Sequence, residues 1–74
     1  MKVFLDDVRP APPGWKLVRW PQEAISLLMT GSVTDLSLDH DLGNDRKGTG
    51  YDVITWLEKA VVEYGLVPPN IKVH

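Results

Sequence analysis

Lys2-Val3-Phe4-Leu5-Asp6-Asp7 is the stretch that decides the fold. A short β-rich apolar run stops on a pair of carboxylates, which reads as a first, buried strand with acid at its end. Further along, Leu36-Ser37-Leu38 repeats the pattern and ends on Asp39-His40-Asp41. Buried strands joined through helices favour parallel pairing with right-handed crossovers.

Between these two strands, Val8-Arg9-Pro10-Ala11-Pro12-Pro13-Gly14 is excluded from helix by three prolines and a glycine. Trp15-Lys16-Leu17-Val18-Arg19-Trp20 alternates and reads as a second strand of edge type. Pro21 suits a first helical turn and Gly31 a helix end. With Ala24, Ile25, Leu28 and Met29 on one face, a helix is predicted over residues 21–30. Beyond the third strand, Leu42 to Gly50 is a polar loop rich in glycine. Thr49 precedes Asp52 by three residues, in the manner of a capping box. Val53, Ile54, Leu57, Ala60, Val61 and Tyr64 then keep helical spacing, so a second helix is predicted over residues 50–64, ended by Gly65. Pro68-Pro69 forces a loop, and Ile71-Lys72-Val73-His74 reads as a fourth strand.

The expected fold is therefore α/β, a small parallel sheet of four strands with two helices in the order β-β-α-β-α-β. Residues 1–74 form a single expected domain. Ending on a strand, it is expected to be a C-terminally truncated version of something longer.

Composition narrows the function. A 43% hydrophobic content fits a folded domain. The absence of cysteine excludes disulfides, thiolate zinc sites and a Cys nucleophile. A net charge of −2 argues against nonspecific nucleic-acid binding. No apolar run approaches the ~20 residues of a membrane helix, and the start is too short in apolar residues for a signal peptide. A cytoplasmic location is the default expectation.

The acids are skewed toward Asp, seven against three Glu. In open parallel sheets, ligands bind beyond the carboxyl ends of the strands. If the first and third strands are neighbours, their ends lie about 5 Å apart, and Asp6, Asp7, Asp39 and Asp41 crowd together. Such crowding is relieved by a hard cation with oxygen ligands, Mg²⁺ or Mn²⁺, which also accepts phosphate oxygens. The alternative is that these Asp residues only cap turns.

His40 sits between two of the acids and is a candidate ligand or proton carrier, unless alternation turns it away. His74 ends the fourth strand on the acidic side, where it either reaches a bound phosphate or frays as a terminal residue. In the loop before the second helix, Arg46, Lys47 and Thr49 are candidate phosphate contacts near a helix N-terminus, the alternative being a flexible solvated loop. The spacing excludes a Walker A loop. Trp15, Trp20 and Trp56 are read as core or edge packing rather than a base-stacking surface. Arg9 is read as a compensating charge beside Asp6-Asp7.

Asp6-Asp7 after the first strand and Asp39 after the third resemble the acidic pocket of response-regulator receiver domains, which are flavodoxin-like. The runs Phe4-Leu5-Asp6-Asp7-Val8-Arg9-Pro10, Ser37-Leu38-Asp39-His40-Asp41-Leu42-Gly43, Gly48-Thr49-Gly50-Tyr51-Asp52-Val53 and Ile71-Lys72-Val73-His74 resemble the derived cyclic-phosphate processing receiver family. The likeness spans essentially the whole chain. It implies Mg²⁺ at the first acid pair, a phosphoryl acceptor or catalytic role for Asp39, and action on cyclic phosphate groups. Against the receiver pattern, the proline-rich segment stands in place of the first helix. The chain also ends where receivers place a Ser or Thr after the fourth strand, and their fifth strand with its Lys does not follow.

Three functions are consistent with these residues. One is a metal-dependent phosphoesterase-like enzyme acting on a phosphate-containing small molecule or nucleotide, with Asp39, His40 and His74 as catalytic residues. Another is a receiver-type phosphoacceptor using Asp39. The third is a non-enzymatic module binding a protein or a nucleotide. An open sheet edge is also expected to invite a protein partner or a homo-oligomer.

Overall fold

The computed structural model of the chain describes residues 1–39 and 50–74. Strands β1 (Lys2–Leu5), β2 (Trp15–Val18), β3 (Asp35–Leu38) and β4 (Asn70–Val73) and helices α1 (Pro21–Leu28) and α2 (Gly50–Tyr64) follow the order β1-β2-α1-β3-α2-β4. All pairings are parallel, and the strands lie in the order β2-β1-β3-β4. This is the expected α/β, receiver-like parallel sheet. Among the described residues, no helix is long and apolar enough to cross a membrane.

Two elements are shorter than their sequence patterns. β2 stops at Val18 because the N–H groups of Arg19 and Trp20 turn to Glu23 Oε1, at 3.3 and 3.2 Å, and begin α1. Trp20 is the N-cap residue and Pro21 opens the helix, where a missing N–H costs nothing. α1 ends at Leu28 rather than residue 30. Thr30 Oγ1 donates to the Leu27 carbonyl and the Gly31 N–H to that of Leu28. Gly31 takes a φ of +76°, which favours a residue without Cβ. α2 runs over the predicted residues and is followed by Gly65 at φ +67°.

Strand order fixes which face each connection covers. The links β2→β3 and β3→β4 both step in one direction across the sheet, so right-handed crossovers place α1 and α2 on the same face. Their Ala24, Leu28, Val53 and Leu57 accordingly join Val3, Leu5, Val18, Val33, Leu36 and Leu38 in one core. Val3, Leu5, Leu36 and Val53 are fully buried, and each is worth about 1.5–3 kcal/mol of transfer free energy. The link β1→β2 steps the other way, toward the second face, and it is the helix-free proline segment.

Aromatic rings cover that second face instead. Phe4 is buried there, with Trp15 edge-on at 6.2 Å and the His74 ring stacked on it. Lys2 Nζ lies 5.6 Å above the Trp15 ring. Trp56 is partly buried against the helical core, whereas Trp20 is 46% exposed. Packing therefore describes Trp15 and Trp56 better than Trp20. At one edge of the sheet all four residues of β4 are exposed, as expected of an open edge.

Candidate functional site

The switch in winding direction falls between β1 and β3, which is where open parallel sheets bind ligands. Three residues there extend the sheet ladder one step past the strands. The Asp6 N–H donates to the Val18 carbonyl at 3.1 Å, Asp39 to Leu5 at 3.0 Å and His74 to Leu38 at 2.9 Å. Their backbones are thus set by the sheet, and alternation sends all three side chains to the face opposite the helices.

Asp6 is fully buried. Its Oδ1 accepts the N–H groups of Val8 and Arg9, both at 2.8 Å, closing an Asx-type turn that starts the proline segment. Its Oδ2 accepts from His74 Nε2 at 3.0 Å and faces Arg9 Nη1 at 3.4 Å. Burial pushes the Asp6 carboxyl up, but the Arg9 and Val8 amides, the His74 hydrogen bond and the Arg9 charge outweigh it, and the group falls from 3.8 to about 2. Arg19 secures the same turn through Nη1, which donates to the carbonyls of Asp6 and Arg9 at 3.2 and 3.0 Å.

Asp39 is buried at the end of β3, with Oδ1 3.6 Å from Arg9 Nη1. One guanidinium nitrogen therefore stands between two buried carboxylates. Asp6, Asp7, Val8, Arg9 and Asp39 line a cleft of about 260 Å³, just below the usual range of small-molecule pockets.

His74 does not fray, contrary to one reading of its terminal position. Its Nδ1 lies 2.6 Å from Ser37 Oγ, its Nε2 reaches Asp6, and its ring stacks on Phe4 with centroids 4.0 Å apart. The structure thus joins Asp6, Asp39 and His74, with Asp7 on the rim. His40, Asp41, Arg46, Lys47 and Thr49 lie outside the described residues.

Ser37, Arg19 and the bridging role of Arg9 are additions to the sequence reading. Arg9 had a signal in its three-residue spacing from Asp6, and Ser37 in being a hydroxyl inside an apolar strand.

Among the described residues, Asp6, Asp39 and His74 form a group whose potential ligand atoms all lie within 4.8 Å of one another. Octahedral Mg²⁺ sets its ligand oxygens about 3–4 Å apart, given metal–oxygen distances near 2.1 Å. The observed spread is wider, but Arg9 Nη1 already stands as a cation between the two acids. The donors thus fit a divalent ion. An ionised carboxylate can only accept hydrogen bonds, so His74 Nε2 carries a proton where it meets Asp6. A divalent ion there would take the carboxylates as ligands, with the imidazole as their support.

The profile of the family described as cyclic-phosphate processing receiver domain matches residues 1–74. No curated protein and no solved structure matches the chain.

Proposed function

This chain belongs to the cyclic-phosphate processing receiver domain family, and from that membership we propose that its strand-end cleft binds a cyclic phosphate with a divalent cation and opens the ring by hydrolysis. The observation that carries the reading is the convergence of buried Asp6 and Asp39 on one cation position at the winding switch of the sheet.

Asp6 and Asp39 would hold Mg²⁺ or Mn²⁺, aided by Asp7 on the rim and by Asp41. When bound, the ion supplies neutralisation of the acids, polarisation of the phosphoryl group and activation of water. In the reaction, a water oxygen forms a bond to phosphorus, one ring P–O bond breaks, and the water proton passes to the departing oxygen. The product is a phosphomonoester. Once displaced from the acids, Arg9 presents its planar fork to the phosphate oxygens. Arg46, Lys47 and Thr49 are proposed as further phosphate contacts and His40 as a proton carrier. His74 holds its Nε2 proton on Asp6 and keeps that carboxylate oriented.

The test incubates the chain with Mn²⁺ and a panel of five- and six-membered cyclic phosphodiesters, following ring opening by ³¹P NMR. A metal-dependent monoester signal that disappears in Asp39→Asn supports the proposal. Absence of monoester from every substrate sinks it.

The fully exposed β4 edge favours a second reading, a module that binds a protein partner or its own copy. In that case Asp39→Asn leaves sedimentation and partner binding unchanged.

A further inference from the structure

Ser37 occupies the middle of β3, paired with Phe4 of β1 and Lys72 of β4, and only 5% of its surface is exposed. A hydroxyl there is costly unless it finds a partner. Its partner is His74 Nδ1 at 2.6 Å. We propose that Ser37 is a positioning residue of the phosphate site, whose hydroxyl donates to His74 Nδ1 and so holds the imidazole with its Nε2–H on Asp6.

Hydrogen-bond arithmetic assigns the direction. A neutral imidazole has one N–H and one bare nitrogen. Asp6 is ionised and takes the N–H at Nε2, so Nδ1 is the bare nitrogen and the Ser37 hydroxyl supplies its proton. The Phe4 ring, inclined by 15° to the imidazole, fixes the plane in which both bonds are made. Two bonds and one stacked face leave the ring a single orientation.

Ser37 is not a nucleophile. It lies two residues before Asp39, inside the strand, and is not among the residues that line the cleft, so it acts through His74. The tether itself depends only on the observed contacts, whereas its effect on turnover rests on the hydrolytic reading above.

The test uses the full ¹⁵N-labelled chain at about pH 8.5, roughly two units above the ordinary histidine pKa. Long-range ¹H–¹⁵N correlations of the His74 ring are compared in the parent, Ser37→Ala, Ser37→Thr and Ser37→Cys. Ser37→Cys keeps the shape with a weak donor and covers the case in which Ser37→Ala does not fold.

In the parent, Nε2 is protonated and Nδ1 carries the shift of a hydrogen-bonded acceptor. Ser37→Ala and Ser37→Cys are expected to move Nδ1 toward its unbonded position and broaden the Nε2–H signal by exchange with water. Ser37→Thr restores both. On turnover, the loss of the hydroxyl lowers kcat about tenfold, the lower end for removal of a supporting hydrogen bond, with KM unchanged and Ser37→Thr active.

Unchanged Nδ1 and Nε2–H signals in Ser37→Cys would overturn the proposal. A parent chain that opens no cyclic phosphate but shows the expected ring shifts refutes only the hydrolytic reading and upholds the tether.

Discussion

The imidazole of His74 lies flat on the ring of Phe4, centroids 4.0 Å apart, although seventy positions separate the two residues in sequence. The proline segment brings no helix to this face, and the histidine covers a buried aromatic ring that would otherwise be wet. His74→Ala removes the stack together with the bonds to Ser37 and Asp6. It is expected to cost about 2 kcal/mol of unfolding free energy. His74→Phe keeps only the stack and should fall between. Urea titration of the three chains checks this, and equal midpoints would show that the contacts contribute nothing.

Acid should weaken the fold through Asp6. Its carboxyl sits at about 2 in the folded chain against 3.8 ordinarily, so between those values the unfolded state binds more protons. The stabilisation is complete above about pH 4 and is lost as the pH falls toward 2. Urea midpoints measured from pH 5 to 2 should drop in the parent and change less in Asp6→Asn, which starts lower. Parallel curves would contradict the assignment to Asp6.

A divalent ion held by Asp6 and Asp39, as proposed, would compete with Arg9 for one position. Arg9→Gln should therefore tighten Mn²⁺ binding, read from paramagnetic broadening of the Asp6 and Asp39 amides. The side chain is 54% exposed, so its ion pairs are screened and worth about 0.5–1 kcal/mol, a twofold to fivefold gain in affinity. An unchanged or weaker affinity would mean that the guanidinium does not hold the cation position.

Leu36 is fully buried in central strand β3. Leu36→Ala costs about 2–5 kcal/mol, and a core of this size supplies about 3–5 kcal/mol net. The variant should lack a cooperative thermal transition by circular dichroism. A transition within a few degrees of the parent's would show that the sheet repacks around the loss.

Much of this architecture was legible because local signals agreed. α2 combined helical spacing with a glycine stop, and its predicted bounds are the observed ones. β1 and β3 announced themselves by apolar runs ending in acid, which sufficed to bring Asp6 and Asp39 together. The rest depended on strand order. Nothing near His74 in sequence says that β4 lies beside β3 and delivers an imidazole to Asp6. Ser37 looked like strand filler because its partner is likewise remote. Asp7 was grouped with Asp6 by adjacency, and it lines the same cleft. The early stop of β2 turned on one carboxylate, Glu23, claiming two backbone amides of an otherwise well-alternating run.

The Asp6–His74 bond joins residues 68 positions apart. Closing so long a loop is favourable only once the intervening strands and helices have docked. Asp6, Arg9 and Asp39 can meet before β4 is in place. The Asp6–His74 bond forms only after residue 74 has left the ribosome, so the buried carboxylate gains its last partner late in folding.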